Sequence, residues 1–171
     1  MYFYNNLNNF SNKFIFTSEA NSVTYSEIIS LCDEFSSYTK GKSLLFLLCS
    51  NTEEAIAGYL SCLRSGTVPL LISSSINESL LLNLINKYCP NYIWLPKIRT
   101  IPENFITIFS HGNYVLVRPN QSKYHNLNHD LALLLMTSGS TGSPLLVRQS
   151  YKNLHSNTSS IIESLNILPD D

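Results

Sequence analysis

Continuous apolar segments alternate with amphipathic ones along this chain, and the alternation constrains the fold more than any other feature. Segment 43–49 is apolar after its first residue, a helical pattern follows at 52–65, and a second apolar segment follows at 67–72. Helical and extended patterns then succeed one another at 78–87 and 92–95. Apolar strands separated by helices of about ten or more residues are typical of a parallel sheet with helices on its faces. The sequence therefore predicts an α/β fold.

The C-terminal part of the chain departs from this alternation. The apolar strand 131–136 leads into a loop rich in Ser, Thr and Gly, and after Pro144 the segment 145–147 is again extended. Two strands on either side of a short loop predict a β-hairpin. No internal repeat or linker divides the chain, so we expect one unit. Further elements are expected at 24–39 (helix), 105–109 and 114–117 (short strands) and 151–165 (helix), with a polar surface segment at 118–129.

The loop of the predicted hairpin has a composition suited to phosphate binding. Ser138, Ser140 and Thr141 carry hydroxyl groups that can donate hydrogen bonds to anionic oxygens. Gly139 and Gly142 permit positive φ and let backbone amides approach a ligand closely. The spacing fits neither the Walker loop nor the dinucleotide-binding fingerprint. A simple Ser- and Gly-rich turn between two strands is the alternative interpretation.

The segment 137–144, Thr-Ser-Gly-Ser-Thr-Gly-Ser-Pro, resembles the ATP-phosphate loop of the adenylate-forming superfamily, which includes acyl-CoA synthetases, adenylation domains of peptide synthetases and luciferases. Three other segments are similar to this family and occur in the same order. They are 23–28, 44–72 and 147–154. In the first and last of these, Thr24 and Ser150 are predicted as helix N-caps, and Glu27 completes a capping box with Thr24.

The resemblance implies an ATP-dependent ligase of the acid–thiol type. In this family a carboxylate substrate attacks the α-phosphate of ATP, and the acyl group of the resulting acyl-adenylate passes to CoA or to another thiol or amine. The resemblance assigns binding of the ATP phosphates to the loop and assigns no catalytic residue. The expected ATP-binding residues are Thr137, Ser138, Gly139, Ser140, Thr141 and Gly142.

The resemblance also predicts that residues 1–171 are a partial N-terminal AMP-binding domain, with an α/β sheet, flanking helices and a phosphate-binding hairpin. The adenine pocket and the acidic ligand of Mg²⁺ would lie beyond Asp171. We therefore expect the isolated chain to be inactive and a complementary C-terminal polypeptide to be a candidate partner. A non-catalytic nucleotide-binding module and a truncated gene product without function are the alternatives.

One position departs from the family pattern. Lysine usually follows the loop proline, whereas this chain has Leu145 after Pro144. Arg148 is three residues further along the strand, and strand alternation places it on the opposite side from Leu145. We therefore do not expect Arg148 to replace the missing cation.

Composition excludes several classes of partner. The formal net charge is −1 and the pI is about 6.4, and no cluster of lysine or arginine occurs in the sequence, which argues against nucleic acid or an anionic membrane as partner. No apolar run approaches the roughly 18–20 residues that span a bilayer. Segment 1–11 lacks the features of a secretion signal, so a cytoplasmic location is expected.

Cysteine and histidine do not form a recognisable metal site in the sequence. The four cysteines are widely spaced and are expected to be free thiols: Cys32, Cys49, Cys62 and Cys89. His125 and His129 are four residues apart, but they fall in the segment predicted as a loop, where this spacing does not align two ligands. We therefore expect no metal site and two surface histidines.

Overall fold

The computed structural model describes residues 4, 6–17, 22–137 and 145–168. Within these residues a 3₁₀ helix, Leu7–Phe10, precedes nine strands and four α-helices. The strands are β1 (Phe14–Thr17), β2 (Ser22–Thr24), β3 (Leu44–Cys49), β4 (Val68–Ser73), β5 (Tyr92–Pro96), β6 (Phe105–His111), β7 (Tyr114–Pro119), β8 (Leu131–Thr137) and β9 (Leu145–Ser150). The helices are α1 (Tyr25–Tyr38), α2 (Glu53–Ser65), α3 (Glu78–Tyr88) and α4 (Tyr151–Leu165).

A seven-stranded sheet carries the fold, with the order β6-β7-β5-β3-β4-β8-β9. Its four central strands are parallel, because β3 pairs in parallel with β4 and β5, and β4 pairs in parallel with β8. The outer strands β7, β6 and β9 are antiparallel to their neighbours. The parallel centre confirms the α/β prediction, and the β8–β9 hairpin is where the sequence predicted it.

The two faces of the sheet are covered by different helices. Buried side chains of α1 and α2 pack with Leu45, Leu47 and Trp94 in one cluster. Those of α3 pack with Phe46 and Leu48 in a second cluster on the opposite face. Alternate residues of β3 thus enter opposite layers, as strand geometry requires. A strand buried on both faces accounts for the continuous apolar sequence of β3.

Local sequence signals define where the helices begin. The Thr24 hydroxyl accepts a hydrogen bond from the Glu27 amide, and the Glu27 carboxylate accepts one from the Thr24 amide, which completes the predicted capping box. The Ser150 hydroxyl accepts a hydrogen bond from the Asn153 amide at the start of α4. Side-chain caps satisfy amides that have no partner within the helix. Both predicted N-caps are therefore confirmed.

Two features of the fold were not predicted from the sequence. The small antiparallel pair of β1 and β2 precedes α1, and β6 and β7 form an antiparallel hairpin at one edge of the main sheet. The sequence predicted short strands at 105–109 and 114–117, which the structure confirms, but it did not predict that they pair with each other. The turn between them contains Gly112 at φ +49°, a conformation that glycine adopts at little cost.

Helix α4 stands out because none of its residues is buried. Ile161, Ile162 and Leu165 are exposed, and their spacing places them on one face of the helix. In the neighbouring strand β9, Leu145 and Val147 are also exposed. Within the described ranges no helix is both long and apolar enough to cross a membrane.

Candidate nucleotide-binding edge of the sheet

The candidate site is the tip of the β8–β9 hairpin. Thr137 ends β8 and pairs with Leu145 at the start of β9, and the Thr137 hydroxyl donates to the Leu145 carbonyl over 3.3 Å. The predicted phosphate-binding residues Ser138, Gly139, Ser140, Thr141 and Gly142 lie outside the described residues. Thr137 is therefore the one predicted site residue that the structure places. The strands on either side fix where the loop begins and where it ends.

The hairpin tip lies at the carboxyl edge of the parallel strands. Cys49 at the end of β3 pairs with Ser73 at the end of β4. The pair Leu71 and Leu135 aligns β4 with β8, so Ser73 and Thr137 each follow two residues later. Ligands of open α/β sheets bind in the crevice outside the carboxyl ends of the strands. Thr137 and Leu145, the described residues on either side of the loop, are thus at the edge where the topology favours a binding site.

A pair of hydroxyl groups at this edge joins the start of β7 to the end of β3. The Tyr114 hydroxyl donates to the Leu48 carbonyl over 2.9 Å and lies within hydrogen-bond distance of the Ser50 hydroxyl. Burial raises the pKa of Tyr114, so its hydroxyl stays protonated at neutral pH. Sequence reasoning did not identify this pair, because nothing in the local pattern of either segment indicates that β7 reaches the end of β3.

Helices α2 and α3 start at this edge, and in each the N-cap side chain accepts a hydrogen bond from one amide of the first turn. The Thr52 hydroxyl accepts from the Ala55 amide in α2, and the Asn77 side chain accepts from the Ser79 amide in α3. These caps reduce the number of helix amides that are free to bind an anion. The hairpin loop is thus a further source of donors for a phosphate at this edge.

Glu54 lies in the first turn of α2, where a buried carboxylate could suggest catalysis. Its side chain accepts a hydrogen bond from the Asn113 amide over 2.8 Å, and its carbonyl accepts one from the Trp94 indole over 2.8 Å. Burial alone would raise the pKa of Glu54, but hydrogen bonds, that of the Asn113 amide foremost, outweigh it and hold the pKa below its ordinary value. Glu54 therefore stays ionised and fixes the β6–β7 turn, which is a structural role.

Leu145 and Arg148 lie as the strand alternation predicted. Leu145 pairs with Thr137, and Arg148 pairs with Leu134, whose side chain enters the core cluster beneath α3. Directly paired residues of antiparallel strands share a face of the sheet. Arg148 is therefore on the opposite face from Leu145 and does not supply a cation beside it.

His125 and His129, which are four residues apart in the sequence, lie outside the helices, as predicted. The His125 ring is hydrogen-bonded to the Cys89 carbonyl at 2.8 Å, and His129 contacts Asp130 at 3.2 Å. His125 is half-buried, so the expectation of two surface histidines holds for His129 alone. Over residues 4, 6–17, 22–137 and 145–168 no group of three metal-ligating side chains is present. All four cysteines are free thiols.

The fold can be compared with those of known proteins. No family model and no curated protein sequence matches the chain. Solved structures do match. The structure of CmiS6 superposes with a TM-score of 0.75 at 16% identity over 96% of this chain and 43% of that one. O-succinylbenzoate Coenzyme A Synthetase (MenE) from Bacillus subtilis, in complex with AMP, superposes with a TM-score of 0.71 at 17% identity over 100% of this chain and 48% of that one.

The chain has the fold of the N-terminal domain of adenylate-forming enzymes. A third match supports this placement, because the Klebsiella oxytoca NpsA N-terminal subdomain in complex with 3-hydroxybenzoyl-AMSN superposes with a TM-score of 0.63 over 89% of this chain at 17% identity. The fold implied by the sequence resemblance is thus confirmed. The chain spans less than half the length of each of these three adenylate-forming structures, 43%, 48% and 41% respectively.

Proposed function

We propose that this chain is the N-terminal part of an ATP-dependent, carboxylate-activating ligase, and that its β8–β9 hairpin binds the phosphates of ATP. The observation that carries the proposal is the hairpin itself. A Ser-, Thr- and Gly-rich loop emerges from a parallel strand at the carboxyl edge of a sheet with the adenylate-forming fold. One neighbour of this fold, MenE, was solved in complex with AMP.

In this proposal the chain's own residues position the nucleotide and make no covalent bond. Ser138, Ser140 and Thr141 donate through hydroxyl groups, and Gly139 and Gly142 let backbone amides contact the phosphate oxygens. Thr137 holds the start of the loop through its hydrogen bond to the Leu145 carbonyl. Such donors act by orienting the triphosphate and by compensating its charge. Mg²⁺ would accompany ATP, and its protein ligand would come from outside these 171 residues.

The proposed reaction gives an acyl-adenylate and pyrophosphate, and the acyl group then passes to CoA or to another thiol or amine. The groups that bind adenine and the carboxylate belong to the part of such an enzyme that this chain does not span. A non-catalytic module that binds a nucleotide through the same hairpin is the second candidate, because the favourable edge geometry does not depend on catalysis.

Changing Leu145 to lysine tests the role of the hairpin tip. The Leu145 side chain is 67% exposed and follows the loop directly, so a lysine there can approach a bound triphosphate. We expect L145K to strengthen ATP binding by about 1 kcal/mol through a partly solvated charge-assisted contact, and we expect salt to weaken that gain. Isothermal titration of both proteins with ATP measures the difference.

Two control variants separate a local contact from a change in overall charge. L145Q removes the same leucine without adding charge, and L82K adds the same charge on α3, which covers the other face of the sheet. Neither should strengthen ATP binding. Equal ATP affinities for L145K and L82K, or no binding by any of the proteins, would contradict phosphate binding at the hairpin.

We propose that a complementary polypeptide covers the exposed apolar side chains of β9 and α4. These are Leu145, Val147, Ile161, Ile162 and Leu165. An uncovered edge strand and apolar helix face favour self-association. We therefore expect the purified chain to be oligomeric in size-exclusion chromatography with light scattering, and the double variant I161E/L165E to shift it toward monomer. A sharply melting monomer for the unmodified chain would favour the self-sufficient module instead.

A further inference from the structure

A basic groove of about 930 Å³ lies at the opposite edge of the sheet from the hairpin tip. Ser43 and Asn91, which precede the parallel strands β3 and β5, line it, and so does Arg118 near the end of the antiparallel strand β7. It therefore opens at the amino edge of the parallel strands. The length of a six-residue strand, about 17–20 Å, separates it from the carboxyl edge.

The charged side chains that line this groove are all positive. Lys40, Lys42, Arg118 and Lys123 line it, and no carboxylate is among its lining residues. The chain as a whole has 11 basic and 12 acidic residues, so four cations around one groove are a marked local excess. A concave surface lined by one sign of charge concentrates ions of the opposite sign.

Three of these cations are available to a ligand. Lys40, Arg118 and Lys123 are exposed and form no ion pair with any described residue. Lys42 is already engaged, because its ammonium donates to the His129 and Leu131 carbonyls over 3.0 and 2.6 Å and lies 5.0 Å from the centre of the Tyr151 ring. Asp130 is the acidic group near Lys42, and it contacts His129.

Hydrogen bonds from the edge of the sheet hold the backbone around the groove. The Asn91 side chain accepts from the Leu44 amide and donates to the Lys123 carbonyl over 2.8 Å. The Lys40 amide donates to the Tyr92 hydroxyl over 3.2 Å, and the His125 ring is bonded to the Cys89 carbonyl. The cations thus project from segments that are fixed to the sheet before any ligand binds.

We propose that this groove is a second anion site, which binds a small ligand carrying a di- or triphosphate group. Three free cations match the charge of such a group, and Arg118 can bind two phosphate oxygens at once. Ser37 and Ser122 add hydroxyl donors to the lining, and the exposed ring of Tyr124 at the same groove offers a surface for stacking. This inference is independent of the function proposed for the hairpin.

Inorganic tripolyphosphate is the probe that tests the site. The variant R118Q/K123Q removes two exposed cations of the groove, and K87Q/K152Q removes two exposed cations that do not line it. In calorimetric titration of the full chain at low salt, we expect the groove variant to lose at least tenfold in affinity at one site. We expect the control variant to change less than twofold, and circular dichroism to show that both remain folded.

Hydrogen exchange locates the bound probe and separates the two sites. Tripolyphosphate should slow exchange in peptides that cover 118–129 in the unmodified chain, and it should not do so in R118Q/K123Q. This result does not depend on whether exchange at the hairpin changes. Tighter binding of ADP than of tripolyphosphate would identify a nucleotide as the ligand, and the reverse would identify an inorganic polyphosphate. The proposal is overturned if the unmodified chain shows no effect in 118–129, or if both double variants lose affinity equally.

Discussion

Replacing Trp94 with alanine is expected to lower the free energy of unfolding by about 3–5 kcal/mol. The side chain is fully buried, and its ring lies against Phe35 at 5.1 Å and Tyr114 at 5.3 Å between centroids. Its indole also donates to the Glu54 carbonyl at the start of α2. The truncation leaves a cavity beneath α2, which begins at the same edge of the sheet as the candidate site. Urea unfolding followed by circular dichroism measures the loss.

The variant W94F separates packing from hydrogen bonding at this position. Phenylalanine retains most of the apolar contact and loses the donor to Glu54, so we expect a loss nearer the roughly 1–3 kcal/mol of an unsatisfied buried acceptor. Gly58 contributes to the same contact, because a Cβ there would lie 2.6 Å from the Trp94 ring. A loss below about 1 kcal/mol for W94A would contradict the packing described for this core.

Replacing Gly112 with alanine is expected to cost about 2–4 kcal/mol, from a left-handed backbone and from a steric clash. Gly112 has φ +49°, and a Cβ at this position would overlap the buried carboxylate of Glu54. That carboxylate cannot move away freely, since it accepts the Asn113 amide. The measurement is the urea midpoint and slope, compared with the unmodified chain.

Gly41 provides a matched control for this substitution. It has nearly the same backbone conformation, φ +51°, but a Cβ there meets no atom within 4 Å. G41A should therefore cost only the backbone strain, about 1–2 kcal/mol. The difference between the two variants isolates the contact with Glu54. Equal losses for G41A and G112A would show that Glu54 moves aside and does not fix the turn.

The elements that the sequence predicted best are those whose signals are local. Strand β3 is apolar throughout, and helices α1 and α4 begin at Thr24 and Ser150, whose hydroxyl groups cap them. Strand type and helix start depend on a few adjacent residues, so they can be inferred without knowledge of the rest of the fold. The hairpin at β8–β9 was predictable for the same reason, because Ser, Thr and Gly interrupt two apolar runs.

The features that the sequence did not predict depend on contacts between distant residues. The contact of Ser50 with Tyr114 joins segments 64 residues apart, and the bond of Asn91 to the Lys123 carbonyl joins segments 32 residues apart. In neither pair does the sequence around one residue indicate which residue it contacts. The basic groove was not predicted for the same reason. Lys40, Arg118 and Lys123 are far apart or isolated in the sequence, and they line one groove only when β3, β5 and β7 pair.

Hydrogen–deuterium exchange of the full chain, with and without Mg²⁺ and ATP, tests the central claim most directly. If the hairpin binds the ATP phosphates, peptides covering 137–145 exchange more slowly with the nucleotide, and the protection increases in L145K. Peptides covering α3, on the other face of the sheet, serve as the internal reference and should not change. Unchanged exchange in 137–145 at saturating ATP, or protection confined to 118–129, would contradict ATP binding at the hairpin.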